Sequence, residues 1–242
     1  MELILGLILS FAVLLFLRVR LNQELYCFLF NLTKRDDVST YIFAILFFPG
    51  IVLHETSHWI TAKILRVKTY GFSLKPERME PGRVRLGYVA TGKSDFIRSG
   101  LVGLAPLVIG IILVTWIDTH RLNLEVMLDS FFEGDWQAVI TGIRDYVYSP
   151  DVALWTYLLI AISNMMLPSP TDYITVLPLI CALGLIVVVI VLINPPFLSS
   201  LVPSLLQAAW ALLYAFLITI IFDVLILIPT WFLNGLLRRL GR

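Results

Sequence analysis

Apolar and polar positions alternate along this chain in long blocks, not at the period of a surface helix. Residues 3–17, 40–65, 96–117, 152–167, 173–193 and 201–228 are almost free of charge, and polar links separate them. A crossing helix needs ~20 apolar residues. The first block is short for that, but Arg18 and Arg20 at its end can snorkel to the interface. Residues 152–193 are too long for one crossing and carry Pro168 and Pro170, so they read as two spans joined at a break. The pattern predicts an all-α polytopic membrane protein with about six transmembrane helices.

One link differs from the rest. Residues 68–75 and 83–89 alternate polar and apolar side chains, and the proline- and glycine-bearing stretch 76–82 between them has turn chemistry. It predicts a small β-hairpin directly after the second apolar block. Its bland role is a solvated hairpin, and its functional role is an edge strand that pairs with an extended substrate. Gly100, Gly103, Ala105 and Gly110 in the third block allow close helix approach. Residues 118–151 form an acidic link whose Phe131, Phe132, Trp136, Tyr146 and Tyr148 suit a membrane interface. Asn194, Pro195 and Pro196 predict a turn before the last block.

Composition supports the membrane reading. Of 242 residues, 59% are apolar and 14% charged, where soluble domains carry roughly 25% charged residues. The net charge of +1 gives no case for a nucleic-acid partner. The two cysteines, Cys27 and Cys181, are far apart and read as free thiols. The first block begins with acidic Glu2 and lacks a small-residue cleavage site after it, so it is expected to be a retained helix and not a signal peptide. Basic residues between 66 and 93 and at the C-terminus place both regions in the cytosol, and the acidic link goes outside.

Candidate chemistry centres on Leu53-His54-Glu55-Thr56-Ser57-His58. On a helix, His54 and His58 share a face and can grip one zinc ion, while Glu55 can serve as general base for a water molecule. Ionisable groups inside an apolar segment are expensive and usually functional. The eleven residues from Leu65 back to His54 put the site roughly 16 Å below the Arg66 side of the membrane. A catalytic zinc ion usually takes three protein ligands. Asp172, just after the proline break, is the leading third candidate; Asp223 is its rival and Asp118 stands behind both. A simpler role for Asp172 is to cap the next helix. Asn164, Pro168 and Pro170 can offer an amide and free carbonyls to an extended substrate. His120, in the acidic link, reads as a surface residue.

With these residues in view, the chain resembles the site-2 protease family of intramembrane zinc metalloproteases. The resemblance rests on His54-Glu55-x-x-His58 in a membrane helix, on Gly103-Leu-Ala-Pro106 early in the next span, and on Asn164 with Pro168, Pro170 and Asp172. The last set is similar to the family pattern Asn-x-x-Pro-x-Pro-x-x-Asp-Gly. The interval from Asn to Asp is kept, the prolines fall one place later, and Tyr173 stands where the family has Gly. The likeness covers residues 40–193, a core flanked by residues 1–39 (a helix and link) and residues 194–242 (a helix and basic tail). It implies a zinc endopeptidase with His54, His58 and Asp172 as metal ligands, Glu55 as catalytic base, and Asn164, Pro168 and Pro170 at the substrate. The implied partner is a client protein with a transmembrane helix, cut in the lipid bilayer of the plasma membrane by a site toward the cytosol. The alternative from another class is a non-proteolytic metal-binding, transport or client-binding membrane protein.

Overall fold

Helices in this chain continue through charge, and its two sharp bends fall at proline. The structure, a computed structural model, describes residues 2–78, 84–193 and 195–240. Its first helix, α1 (Glu2–Thr33), does not end near residue 17 as the pattern suggests. Arg18, Arg20, Gln23 and Glu24 are good helix formers, and no breaker follows them. The polar second half of α1 is matched by the last helix, α9 (Pro195–Leu240). Asn234 Nδ2 donates to the Glu24 carboxylate at 2.7 Å and to the Glu24 carbonyl at 2.8 Å, and Asn31 donates to Asn234 Oδ1 at 3.2 Å.

Residues 40–65, read from sequence as one span, form two helices: α2 (Asp36–Leu46) and α3 (Phe48–Ile64), bent by 73°. Pro49 has no N–H for the carbonyl four residues back, so the ladder breaks there. The same physics separates α7 (Val152–Met166) from α8 (Pro170–Ile193), which are bent by 75° at Pro168 and Pro170. Between these pairs runs α4 (Phe96–Ile117). Asp95 caps it by accepting from the Arg98 N–H at 3.0 Å, which holds the Asp95 carboxyl below its usual range.

By length and composition α1, α4 with its extension to Leu122, and residues 202–239 of α9 can each cross a membrane. Among the described residues the count by this criterion is three, or five if each bent pair is one span, against the six expected from sequence. The difference lies at residues 152–193. There α7, with 15 residues, reaches about 22 Å, short of a hydrocarbon core of ~30 Å.

The acidic link is folded and not open loop. After a π-helical turn (Asp118–Leu122) come α5 (Leu124–Glu133) and α6 (Trp136–Val147). Asp118 is buried, and its two oxygens accept from the N–H groups of Leu124 at 2.7 Å and Glu125 at 3.1 Å. It caps α5, which accounts for a buried acid without a metal role. Trp136, Ile140, Ile143 and Val147 form one exposed apolar face of α6, as expected of an interfacial helix.

The hairpin is present. Strands β1 (Thr69–Ser73) and β4 (Tyr88–Thr91) pair antiparallel, with Phe72 opposite Val89 and an irregularity between Thr69 and Gly71. Pairing resumes past Pro76 between β2 (Glu77–Arg78) and β3 (Val84–Arg85). The expected turn at 76–82 falls largely in residues 79–83, and Asn194 of the second expected turn also lies outside the described residues. Leu86, linking β3 to β4, packs on the cluster of Phe43, Phe47, Ile51 and Met165, so this end of the hairpin reaches the bend between α2 and α3.

Close helix crossings bring the parts of the centre together. A Cβ at Gly50 would lie 1.9 Å from the Ala161 carbonyl oxygen, so α3 and α7 touch backbone to backbone. A Cβ at Gly103 would lie 2.6 Å from Thr175 Oγ1, so α4 lies hard against α8 one turn after Asp172. Gly50→Ala is expected to lower unfolding stability by about 1–3 kcal/mol or more, because a backbone carbonyl cannot rotate away as a side chain can. Gly184, whose added Cβ would meet nothing within 4 Å, is the contrast. Gly184→Ala is expected to be neutral or stabilising by up to ~1 kcal/mol. Thermal unfolding of both variants in one detergent checks the pair.

Candidate metal centre

His54 and His58 lie one turn apart on α3, with their rings edge to face at a centroid distance of 4.6 Å. Each ring is fixed by a backbone carbonyl on another helix. His54 Nδ1 is 2.7 Å from the Met165 carbonyl of α7, and His58 Nδ1 is 2.8 Å from the Val102 carbonyl of α4. Both carbonyls lack a helical partner for reasons written in the sequence. Pro106 cannot donate to the carbonyl four residues before it, which is Val102. Met165 lies in the last turn of α7, where carbonyls are left over.

These contacts set the tautomers. A carbonyl only accepts, so each Nδ1 carries the proton and each neutral ring turns a bare Nε2 lone pair inward. The two Nε2 atoms are 3.1 Å apart. Asp172, near the start of α8, completes the group, with Oδ2 3.8 Å from His54 Nε2 and Oδ1 3.7 Å from His58 Nε2. All three ligand atoms fall within 4.8 Å of one another. Two lone pairs and a carboxylate facing inward repel unless a cation lies between them. A proton can bridge one pair, while a metal ion satisfies all three. Donors 2.0–2.1 Å from a tetrahedral zinc ion lie about 3.3 Å apart, so this donor set fits zinc.

Asp172 does two jobs at once. Its Oδ2 accepts from the Ser169 N–H at 2.8 Å and from the Ser169 hydroxyl at 2.6 Å, and the Asp172 N–H returns to the Ser169 carbonyl at 2.9 Å. Asp172 therefore caps α8 and also faces the histidines. Ser169 was not among the sequence candidates. Its signal is Ser169-Pro170-Thr171-Asp172, a capping box with proline at the first helical position.

The other sequence candidates take separate places. Asp223, the rival ligand, is buried on α9 and accepts from Asn164 Nδ2 at 2.8 Å. Among the described residues it is not part of the three-ligand group. Asn164 also donates to the Ile160 carbonyl at 3.1 Å, and its Oδ1 has no hydrogen-bond partner. Pro168 is buried in the break, and Pro170 opens α8, its side chain lying outside the described ones. His120 is exposed and stacks on Trp116, away from the group.

Glu55 is 8% exposed on α3 beside the first ligand. The hairpin covers it: a Cβ at Gly87 would lie 2.9 Å from Glu55 Cγ and 3.0 Å from the Ser73 carbonyl oxygen. Gly87 was missed by sequence reasoning, since a glycine before a strand has many ordinary uses and only tertiary contact reveals this one. The arrangement sets the Asp172 carboxylate against two imidazole lone pairs, with the Glu55 carboxylate next to His54 on α3 and shielded by the hairpin.

Ser169→Ala removes one of two hydrogen bonds that orient Asp172. It is expected to weaken zinc binding about 10-fold while leaving the helices intact, as read by competition with a chelating dye and by circular dichroism. An unchanged affinity would mean that the Ser169 N–H alone holds the carboxylate. Compared with known proteins, the chain matches no family model, no curated protein and no solved structure.

Proposed function

We propose that the protein is an intramembrane zinc endopeptidase of the site-2 protease type, hydrolysing peptide bonds within or beside the transmembrane segments of client membrane proteins. One observation carries the reading. His54, His58 and Asp172, from two helices far apart in sequence, bring three possible ligand atoms within 4.8 Å of one another, with Glu55 next to His54 on α3.

A zinc ion held there would act as a Lewis acid, polarising a water molecule and the carbonyl to be cut. Glu55, on the same helix as the two histidines, takes the proton from the attacking water and delivers it to the leaving amine. Its burial under Gly87 keeps bulk water from competing for that proton. The carbonyls of Met165 and Val102 keep both Nε2 atoms free of protons, so each imidazole stays a ligand. Asn164 Oδ1 is buried without a partner, an acceptor that a client backbone N–H could take up only if the break opens. A client helix must unwind locally before its carbonyls are exposed, and the open edges of the two-stranded hairpin suit an extended chain. In this reading the site works inside the plasma membrane, toward the cytosolic side on which residues 66–93 lie, and the chain crosses about six times.

The reading is tested on purified protein by metal content and by cleavage of a transmembrane client peptide. About one zinc ion per chain is expected, lost in His54→Ala/His58→Ala and in Asp172→Ala, and kept in Asp223→Ala. Glu55→Gln should retain the metal and lower the cleavage rate by about 10²–10⁴-fold. Full cleavage by Glu55→Gln would end the mechanism. Bound zinc without cleavage in the wild type, together with metal flux in proteoliposomes, would point to transport instead.

A further inference from the structure

We propose that Arg18 is a positioning residue of the metal centre, holding the proline-broken segment that aims Asp172 at the histidines, and so making α1 part of the site. The proposal rests on the metal-centre reading above and adds a residue from outside the stretch that carries the family resemblance.

Arg18 lies midway along α1, a helix that otherwise packs mainly against α9 and α2. A guanidinium at that depth in an apolar segment is costly and needs a reason. Its partners supply one. Arg18 Nη1 donates to the Leu167 carbonyl at 2.9 Å and to the Pro168 carbonyl at 3.2 Å. Both carbonyls sit between the end of α7 and the start of α8, where the proline break removes helical partners. The N–H that would serve Pro168 in an unbroken helix is that of Asp172, and it goes to the Ser169 carbonyl instead.

The contact is close to the chemistry in sequence as well as in space. Pro168 precedes Ser169, and Ser169 holds Asp172 Oδ2. The acids Asp172 and Asp223 lie within electrostatic reach of the guanidinium. Arg18 therefore does two things that no neighbouring apolar side chain can do. It occupies two backbone acceptors that lipid cannot satisfy, and it places positive charge behind a ligand carboxylate. A planar guanidinium suits paired carbonyls better than an ammonium, which is a point donor.

The test uses the full chain in nanodiscs, titrated with cobalt(II), whose visible absorption reports ligand number and geometry. Arg18→Met and Arg18→Lys are compared with wild type, with His54→Ala/His58→Ala, and with Leu21→Ala. Leu21 is fully buried on the same helix and serves as a packing control. Arg18→Met is expected to weaken cobalt binding about 10–100-fold and to lower the absorption toward that of a site lacking the carboxylate. Arg18→Lys should recover part of both, and Leu21→Ala should lower Tm without changing the spectrum. Wild-type affinity and spectrum in Arg18→Met overturn the proposal, as does an equal loss in Leu21→Ala. Where Arg18→Met does not fold, a wild-type spectrum and affinity in Arg18→Lys overturn it. No cobalt binding in wild type, or binding indifferent to both histidines, would instead remove the metal centre itself.

Discussion

Backbone carbonyls stranded in an apolar medium organise this molecule. A carbonyl without an N–H partner is costly where no water reaches it. The prolines at 106, 168 and 170 and the end of α7 leave several such groups. Polar side chains of the candidate centre take them up: His58 on Val102, His54 on Met165, and Arg18 on Leu167 and Pro168. Satisfying the backbone and aiming the functional groups are thus the same set of contacts. Breaks that look like defects in three helices serve as sockets for the side chains.

The acids that contact other elements of the fold sort into different uses. Asp118 caps α5, Asp223 pairs with Asn164, and Asp172 combines a cap with a place facing the two histidines. Glu24 binds Asn234 and ties α1 to α9. Burial of a carboxylate within an apolar block signals importance, but what it is important for depends on what its oxygens meet. Three of these four acids have work that needs no metal.

Local signals carried much of this in advance. The His54–His58 spacing, the hairpin alternation at 68–89 and the small residues of α4 all act over a few positions, and the structure contains each of them. The approach of Asp172 to the histidines was legible because a proline break beside an acid is a local pattern. The length of α1 and the bend at Phe47 were misjudged for a common reason: charge marks a membrane boundary but does not end a helix, while Pro49 breaks one inside an apolar block. Arg18, Gly87 and the two histidine carbonyls were out of reach. Their roles arise from contacts such as Arg18 with Leu167, 149 positions apart, and His54 with Met165, 111 apart. No periodicity records such pairs.

The double use of Asp172 has a consequence for how an ion would be received. A free aspartate must give up rotamer freedom when it binds a cation, and that loss weakens binding. Here Ser169 has already fixed the carboxylate as part of starting α8, and two carbonyls have already fixed the rings. Conformational order is therefore in place before any ion arrives, as a by-product of folding. An ion entering there would add its charge to a shape that already exists, and would relieve the repulsion between two imidazole lone pairs and a carboxylate.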